Sequence, residues 1–245
     1  MVVINIGMPR SGTLWRYNLI KTLVIAAGGV DALQLREQFR LQPFIGELNA
    51  DMNTLKAKRL IPAMIPSLFG KSYALNSHAR PFTLAKSLVL SGKLKAVYGY
   101  RDPRDCVLSM LEYSQRAKPQ YRAGFLELKD VQDGIRFMQL YLQVWEDWIN
   151  TENALILRYE DMHADFDRVF DQIVAYLEIQ LENDRLSEIK KNFLPRQKPG
   201  SGEHIHLETG LPHRSRTAFS KMDLAQLNES FAPYLEKMGY ALAAG

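Results

Sequence analysis

Residues 2–13 read Val-Val-Ile-Asn-Ile-Gly-Met-Pro-Arg-Ser-Gly-Thr, a short β-branched run that passes straight into a loop bounded by Gly7 and Gly12. Val2 to Ile6 has the composition of a strand buried on both faces of a parallel sheet. Thr13 to Ala27 follows a helical pattern, with Leu14, Leu19, Leu23 and Ala27 near one side, and Gly28-Gly29 ends it. A glycine loop between a strand and a helix N-terminus is suited to a phosphate, because the backbone approaches closely and unpaired N–H groups point at the anion. Thr13 stands where the lysine of G-x-x-x-x-G-K-[ST] would be, so the cation of a nucleoside-triphosphate loop is missing. Arg10, inside the loop, supplies a cation instead. A strand-to-helix turn without a ligand accounts for the two glycines equally well.

The rest of the chain repeats the alternation of strand and helix. Tyr73 to Asn76 reads as a short strand, Pro81 to Leu90 as a helix, Lys95 to Tyr100 as a strand and Pro103 to Ser114 as a helix. Val131, Ile135, Met138, Leu142, Trp145 and Ile149 step by three and four, which predicts a long amphipathic helix. Ala154 to Leu157 is a further buried strand, followed by a helix to about Leu177. Leu224, Leu227, Phe231, Leu235 and Met238 mark a closing helix. Between Val30 and Phe69 the pattern is poor, and Pro43, Pro62 and Pro66 are expected to break it into short pieces. The alternation predicts an α/β fold, a central parallel sheet of about four or five strands flanked by helices, with ligands at the strand carboxyl ends. Residues 1–245 are expected to form a single domain.

Three segments resemble those of sulfotransferases that use 3′-phosphoadenosine 5′-phosphosulfate (PAPS). Pro9-Arg10-Ser11-Gly12-Thr13-Leu14-Trp15 resembles that family's 5′-phosphosulfate loop. Tyr100-Arg101-Asp102-Pro103-Arg104-Asp105-Cys106-Val107-Leu108-Ser109 resembles its 3′-phosphate motif, and Leu157-Arg158-Tyr159-Glu160-Asp161-Met162 a third strand end. The three follow one another in the family's order. The resemblance implies a fold like that of P-loop nucleotide kinases and sulfuryl transfer from PAPS to a hydroxyl acceptor, or an amine, releasing 3′,5′-adenosine diphosphate (PAP). It implies Ser11, Gly12, Thr13, Leu14 and Trp15, with Arg10, around the phosphosulfate, Arg101 and Ser109 on the 3′-phosphate, and Tyr159 in the cofactor site. Trp15 reads equally as an adenine-stacking ring or a core tryptophan. Asp102, Arg104 and Asp105 read as caps and ion pairs at the helix start.

His78, in Asn76-Ser77-His78, stands where the family places its catalytic histidine, and the resemblance implies that it and Arg10 are the catalytic pair. A histidine of ordinary pKa can take the proton of an attacking hydroxyl. Asn76 departs from the family, in which a lysine often assists the leaving group. The resemblance implies a cofactor-closing loop near the C-terminus, with two candidate placements, Lys198 to Gly202 and Thr209 to Arg216. The second puts Arg214 or Arg216 on a phosphate, with Glu208 where an arginine is expected. His204, His206 and His213 lack cysteine or clear carboxylate partners, so no metal is expected.

A net charge of +4 is too small and too scattered for a nucleic-acid surface, and suits an anion in a local pocket. The single cysteine, Cys106, rules out an intrachain disulfide and fits a reducing compartment. No apolar stretch is long enough to span a bilayer and no basic region opens the chain, which predicts a cytoplasmic protein without membrane contact. The acceptor, a small molecule or glycan, has no readable code, although Val30 to Phe69 and Arg116 to Lys129 are expected to shape its pocket. Two other readings stay open: a nucleotide kinase, and a protein that binds PAP without turnover.

Overall fold

The β-branched run at the N-terminus is buried at every position and forms strand β1 (Val2–Gly7). A strand apolar on both faces needs cover on each side, and the chain supplies it from distant segments. The computed structural model describes residues 1–116, 128–195 and 211–242. Among them β1 is followed by α1 (Thr13–Ala26), α2 (Ala32–Gln38), β2 (Asp51–Met52), α3 (Ala57–Leu68), β3 (Tyr73–Ser77), α4 (Thr83–Leu90) and β4 (Leu94–Tyr100). Then come α5 (Pro103–Arg116), α6 (Val131–Ile149), β5 (Leu155–Arg158), α7 (Tyr159–Ala164), α8 (Phe166–Tyr176), α9 (Asn183–Asn192), α10 (Ser215–Ala218) and α11 (Lys221–Lys237). The sheet has five strands in the order β2-β3-β1-β4-β5, and every pairing is parallel. This is the predicted α/β architecture.

The chain divides into two compact units, each discontinuous in sequence. Residues 1–7, 12–100 and 144–195 make the first, which contains the whole sheet. There α1 buries Leu19, Ile20, Leu23 and Val24, and Trp148 stacks on Tyr98 of β4 with ring centroids 6.0 Å apart. The registers Ile6↔Ser77 and Gly7↔Gly99 align the carboxyl ends of β3, β1 and β4. The second unit takes residues 8–11, 101–143 and 196–245. Its described core is α5, with Cys106, Val107 and Met110 buried, and α11, with Leu224, Leu227, Phe231 and Leu235 buried. Gly134 lets α6 approach α5 closely, since a methyl there would lie 2.6 Å from Val107 Cγ1.

Two expectations are corrected. Pro62 and Pro66 do not break the chain but lie inside α3. Proline removes an amide and crowds the preceding turn, yet here Leu60, Ala63 and Pro66 are buried along one face, and Tyr73 Oη donates to the Ala63 carbonyl at 2.5 Å. The helix expected up to Leu177 is two helices, because Asp165 leaves helical backbone (φ −146°, ψ 69°) and its carboxylate accepts from Arg168 N to start α8 afresh. Among the described residues no helix is long and apolar enough to cross a membrane.

Candidate active site

In the first unit the site is built where β1 ends. Gly12 is the N-cap of α1, has φ 71° and brings no capping side chain of its own. A Cβ at Gly12 would lie 2.7 Å from Cε2 of Tyr159, which packs flush against that turn. Trp15 donates from Nε1 to the Phe193 carbonyl at 3.1 Å and stacks on Phe166, with its edge toward Tyr159. Thr13 is buried and Leu14 is exposed.

His78 directly follows β3. Its Nδ1 lies 2.6 Å from the carbonyl oxygen of Gly7. A carbonyl only accepts, so Nδ1 carries the proton and the basic lone pair is on Nε2. Burial pushes the imidazole below its ordinary pKa; the Gly7 carbonyl opposes that, and the Arg16 guanidinium adds to it. Two residues earlier, Asn76 Oδ1 accepts from Asn5 Nδ2 at 2.8 Å, and Asn76 Nδ2 approaches Asp51 Oδ1 at 3.5 Å. Burial raises the Asp51 carboxyl to about 6.

In the second unit, Ser11 turns the loop by donating from N and Oγ to the Met8 carbonyl, at 3.2 and 2.8 Å. Arg10, at φ 66°, donates from Nε to Ser109 Oγ at 3.0 Å and lies over the Tyr113 ring at 4.8 Å. Arg101 is buried; Nη1 reaches the Arg10 carbonyl at 3.4 Å, and Nη2 donates to Asp105 and to the Leu211 carbonyl. Burial alone would raise the Asp105 carboxyl, but Arg101 and Ser215 outweigh it and hold it below its ordinary value. Asp105 also accepts from His213 N and Ser215 N, at 2.6 and 2.9 Å. Asp102 accepts from the Arg104 amide and pairs with its guanidinium, which is the cap and ion pair expected at this helix start.

The second unit thus gathers Arg10, Arg101 and Ser109, and the first gathers Gly12, Trp15 and Tyr159 and holds His78 on Gly7. Arg214 forks onto Glu112, and Arg216 is exposed on α10. Lys198 to Gly202, His204, His206, Glu208, Thr209 and Gly210 lie outside the described residues. Among the described residues no group of three or more His, Cys, Asp or Glu side chains could hold a metal ion. Sequence reasoning missed Arg16, which is fully buried. Its signal was a charge three and four residues before Leu19 and Ile20, in phase with the core side of α1.

The family model described as Sulfotransferase domain matches residues 2–198. The amine sulfotransferase of Oryctolagus cuniculus is 26% identical over 200 residues, covering 76% of this chain and 59% of the relative. The chain therefore spans about three-fifths of that relative's length. Mouse sulfotransferase SULT7A1, solved with PAP, superposes with a TM-score of 0.59 at 17% identity, over 96% of this chain and 84% of that one. Retinol dehydratase, solved with retinol and PAP, gives 0.62 at 15% identity, over 96% and 81%.

Proposed function

The chain belongs to the sulfotransferase domain family, and on that footing we propose that it transfers a sulfuryl group from PAPS to a hydroxyl acceptor, or an amine, and releases PAP. We read residues 1–245 as one sulfotransferase domain, a reading supported by a family match over residues 2–198, which takes in segments of both units. The observation that carries the function is the cluster of Arg10 from the first motif with Arg101 and Ser109 from the second, about ninety residues further along the chain. The donor set gathered in the second unit fits a phosphorylated nucleotide: two guanidinium groups and a hydroxyl.

PAPS supplies an activated sulfuryl group; the protein supplies a base and fixed positive charge. The acceptor oxygen forms a bond to sulfur, its proton passes to His78 Nε2, and the bond from sulfur to the 5′-phosphate oxygen breaks. PAP leaves with that electron pair, and Arg10 with the N–H groups of the loop takes up the charge. Ser11, Thr13, Leu14, Trp15 and Tyr159 complete the cradle, and Arg214 or Arg216 contributes from the C-terminal side. The acceptor is a small molecule, the class named for the amine sulfotransferase and the retinol-bound relative.

The 3′-phosphate distinguishes PAP from AMP, so calorimetric titration of the two tests the assignment. Charge-assisted hydrogen bonds contribute about 1.5–3 kcal/mol each, so PAP is expected to bind roughly 10²-fold tighter or more. Arg101→Ala is expected to erase most of that preference by weakening PAP alone, and Ser109→Ala to do so less severely. Equal affinity of the wild type for PAP and AMP would sink the reading.

A further inference from the structure

Arg16 is a cation that the reaction outlined above does not use. Its side chain is fully buried. Nε donates to Asn5 Oδ1 at 2.7 Å and Nη2 to the Ile6 carbonyl at 2.7 Å, while Nη1 has no hydrogen-bond partner among the described residues. Neutral oxygens are therefore what receive the charge. Removing a guanidinium from water is expensive, and a methionine would fill such a position more cheaply.

The sheet is built to admit it. Gly7 and Gly99 are register partners on β1 and β4. A methyl at Gly99 would lie 1.8 Å from Arg16 Nη1, and one at Gly7 would lie 2.7 Å from Nη2. The paired glycines make a slot, and the guanidinium fills it at the carboxyl end of the strand. It holds the Ile6 carbonyl, and His78 holds the next one, Gly7.

We propose that Arg16 is a positioning residue for His78: from the Gly7–Gly99 slot its fixed positive charge opposes a second proton on the imidazole and keeps Nε2 a lone pair. Gly7 sets the tautomer, and Arg16 adds to burial in holding the ring neutral. The lowered pKa of His78 agrees, with burial the larger cause and Arg16 acting in the same direction. Other ionisable groups on the surrounding elements are Tyr98 on β4, Asp51 on β2, and Arg80, which spends its charge on Asp147 of α6 at 2.6 Å. Arg16 acts on His78 through its charge, in the direction that keeps the ring neutral. The charge also reaches the neighbouring strands, because Asn5 passes the contact on to Asn76 and Asn76 to Asp51.

This inference rests on the proposed base only for its kinetic consequence, so the first measurement needs no turnover. The imidazole of His78 is titrated by NMR in the resting protein, its resonance assigned with His78→Ala. In Arg16→Met the midpoint is expected to move to higher pH, and in Arg16→Lys to return toward the wild type. Should Arg16→Met fail to fold, Asn5→Asp places a carboxylate on Nε and is expected to raise the midpoint likewise. A midpoint that stays put when the charge is removed or neutralised overturns the proposal. The acid limb of kcat/KM is then expected to follow the midpoint. A limb that stays while the imidazole moves would support the effect of Arg16 and remove His78 from the role of base.

Discussion

Burial acts in opposite directions on two neighbours at the carboxyl end of the sheet. His78 gains a depressed pKa, so it stays neutral into mildly acidic solution, which is what a base needs. Its stabilising share is present above the ordinary histidine pKa and is lost as pH falls through the lowered one. Replacing it with alanine is expected to cut turnover by roughly 10²–10⁴-fold while PAP affinity, read by calorimetry, changes little. Wild-type turnover in that variant would end its assignment. Asp51 runs the other way: its carboxyl rises from 3.8 to about 6. The stability tied to that shift is fully present below pH 3.8 and is lost as pH rises through about 6. Asp51→Asn keeps an acceptor for Asn76 and removes the buried charge. At pH 8 it is expected to stabilise the protein by on the order of 1–3 kcal/mol, with the gain fading toward pH 4. Urea denaturation at both pH values checks this; a gain of equal size at both would point to packing instead.

At the scale of elements, α1 is joined to the sheet through a close approach that tolerates no side chain. Gly99→Ala would drive a methyl into the Arg16 guanidinium, 1.8 Å from Nη1, at a fully buried side chain. Overpacking of this kind costs about 1–3 kcal/mol, and here more is expected because the displaced group is charged. Chemical denaturation measures it, and unchanged stability would mean that Arg16 does not occupy the slot. The strands and helices that make this joint were largely readable. β1 announces itself as a continuous apolar run and α6 by apolar residues that recur every three and four positions, and the loop between Gly7 and Gly12 is marked by glycine and proline. The stretch from α2 to α3 was not readable. β2 has two residues, too few for alternation to register, and α3 is held by tertiary burial against the local preference of two prolines. The motif segments could be picked out of the sequence because each is contiguous, and the fold brings Arg10, Arg101 and Ser109 of two of them together. Arg16 could not, because its meaning lies in glycines 9 and 83 positions away, brought together only by sheet register.

For the molecule as a whole, a surplus of four positive charges spread over 245 residues gives little general attraction for anions. Recognition of a multiply charged nucleotide must therefore come from the few cations gathered at the motifs, and it should be selective for the placement of phosphates. Such a ligand binds the native chain and not the unfolded one, so it stabilises by mass action. At one hundred times its dissociation constant the stabilisation is about 2.7 kcal/mol, which for a chain of this size moves the melting temperature by about 5–10 °C. PAP is expected to produce that shift in a thermal melt, and AMP at the same concentration a much smaller one. A chelator should leave the PAP shift intact, since fixed guanidinium groups and amides bear the charge that a nucleotide kinase assigns to Mg²⁺. The Arg10→Ala protein should lose most of the shift while melting near the wild-type temperature without ligand. If ATP with Mg²⁺ raises the melting temperature and PAP leaves it where it was, the nucleotide kinase reading prevails over sulfuryl transfer. If PAP stabilises but no acceptor among alcohols, phenols and amines is sulfated from labelled PAPS, the chain is a PAP-binding protein without turnover, and the charge state that Arg16 helps to set on His78 serves binding instead of catalysis.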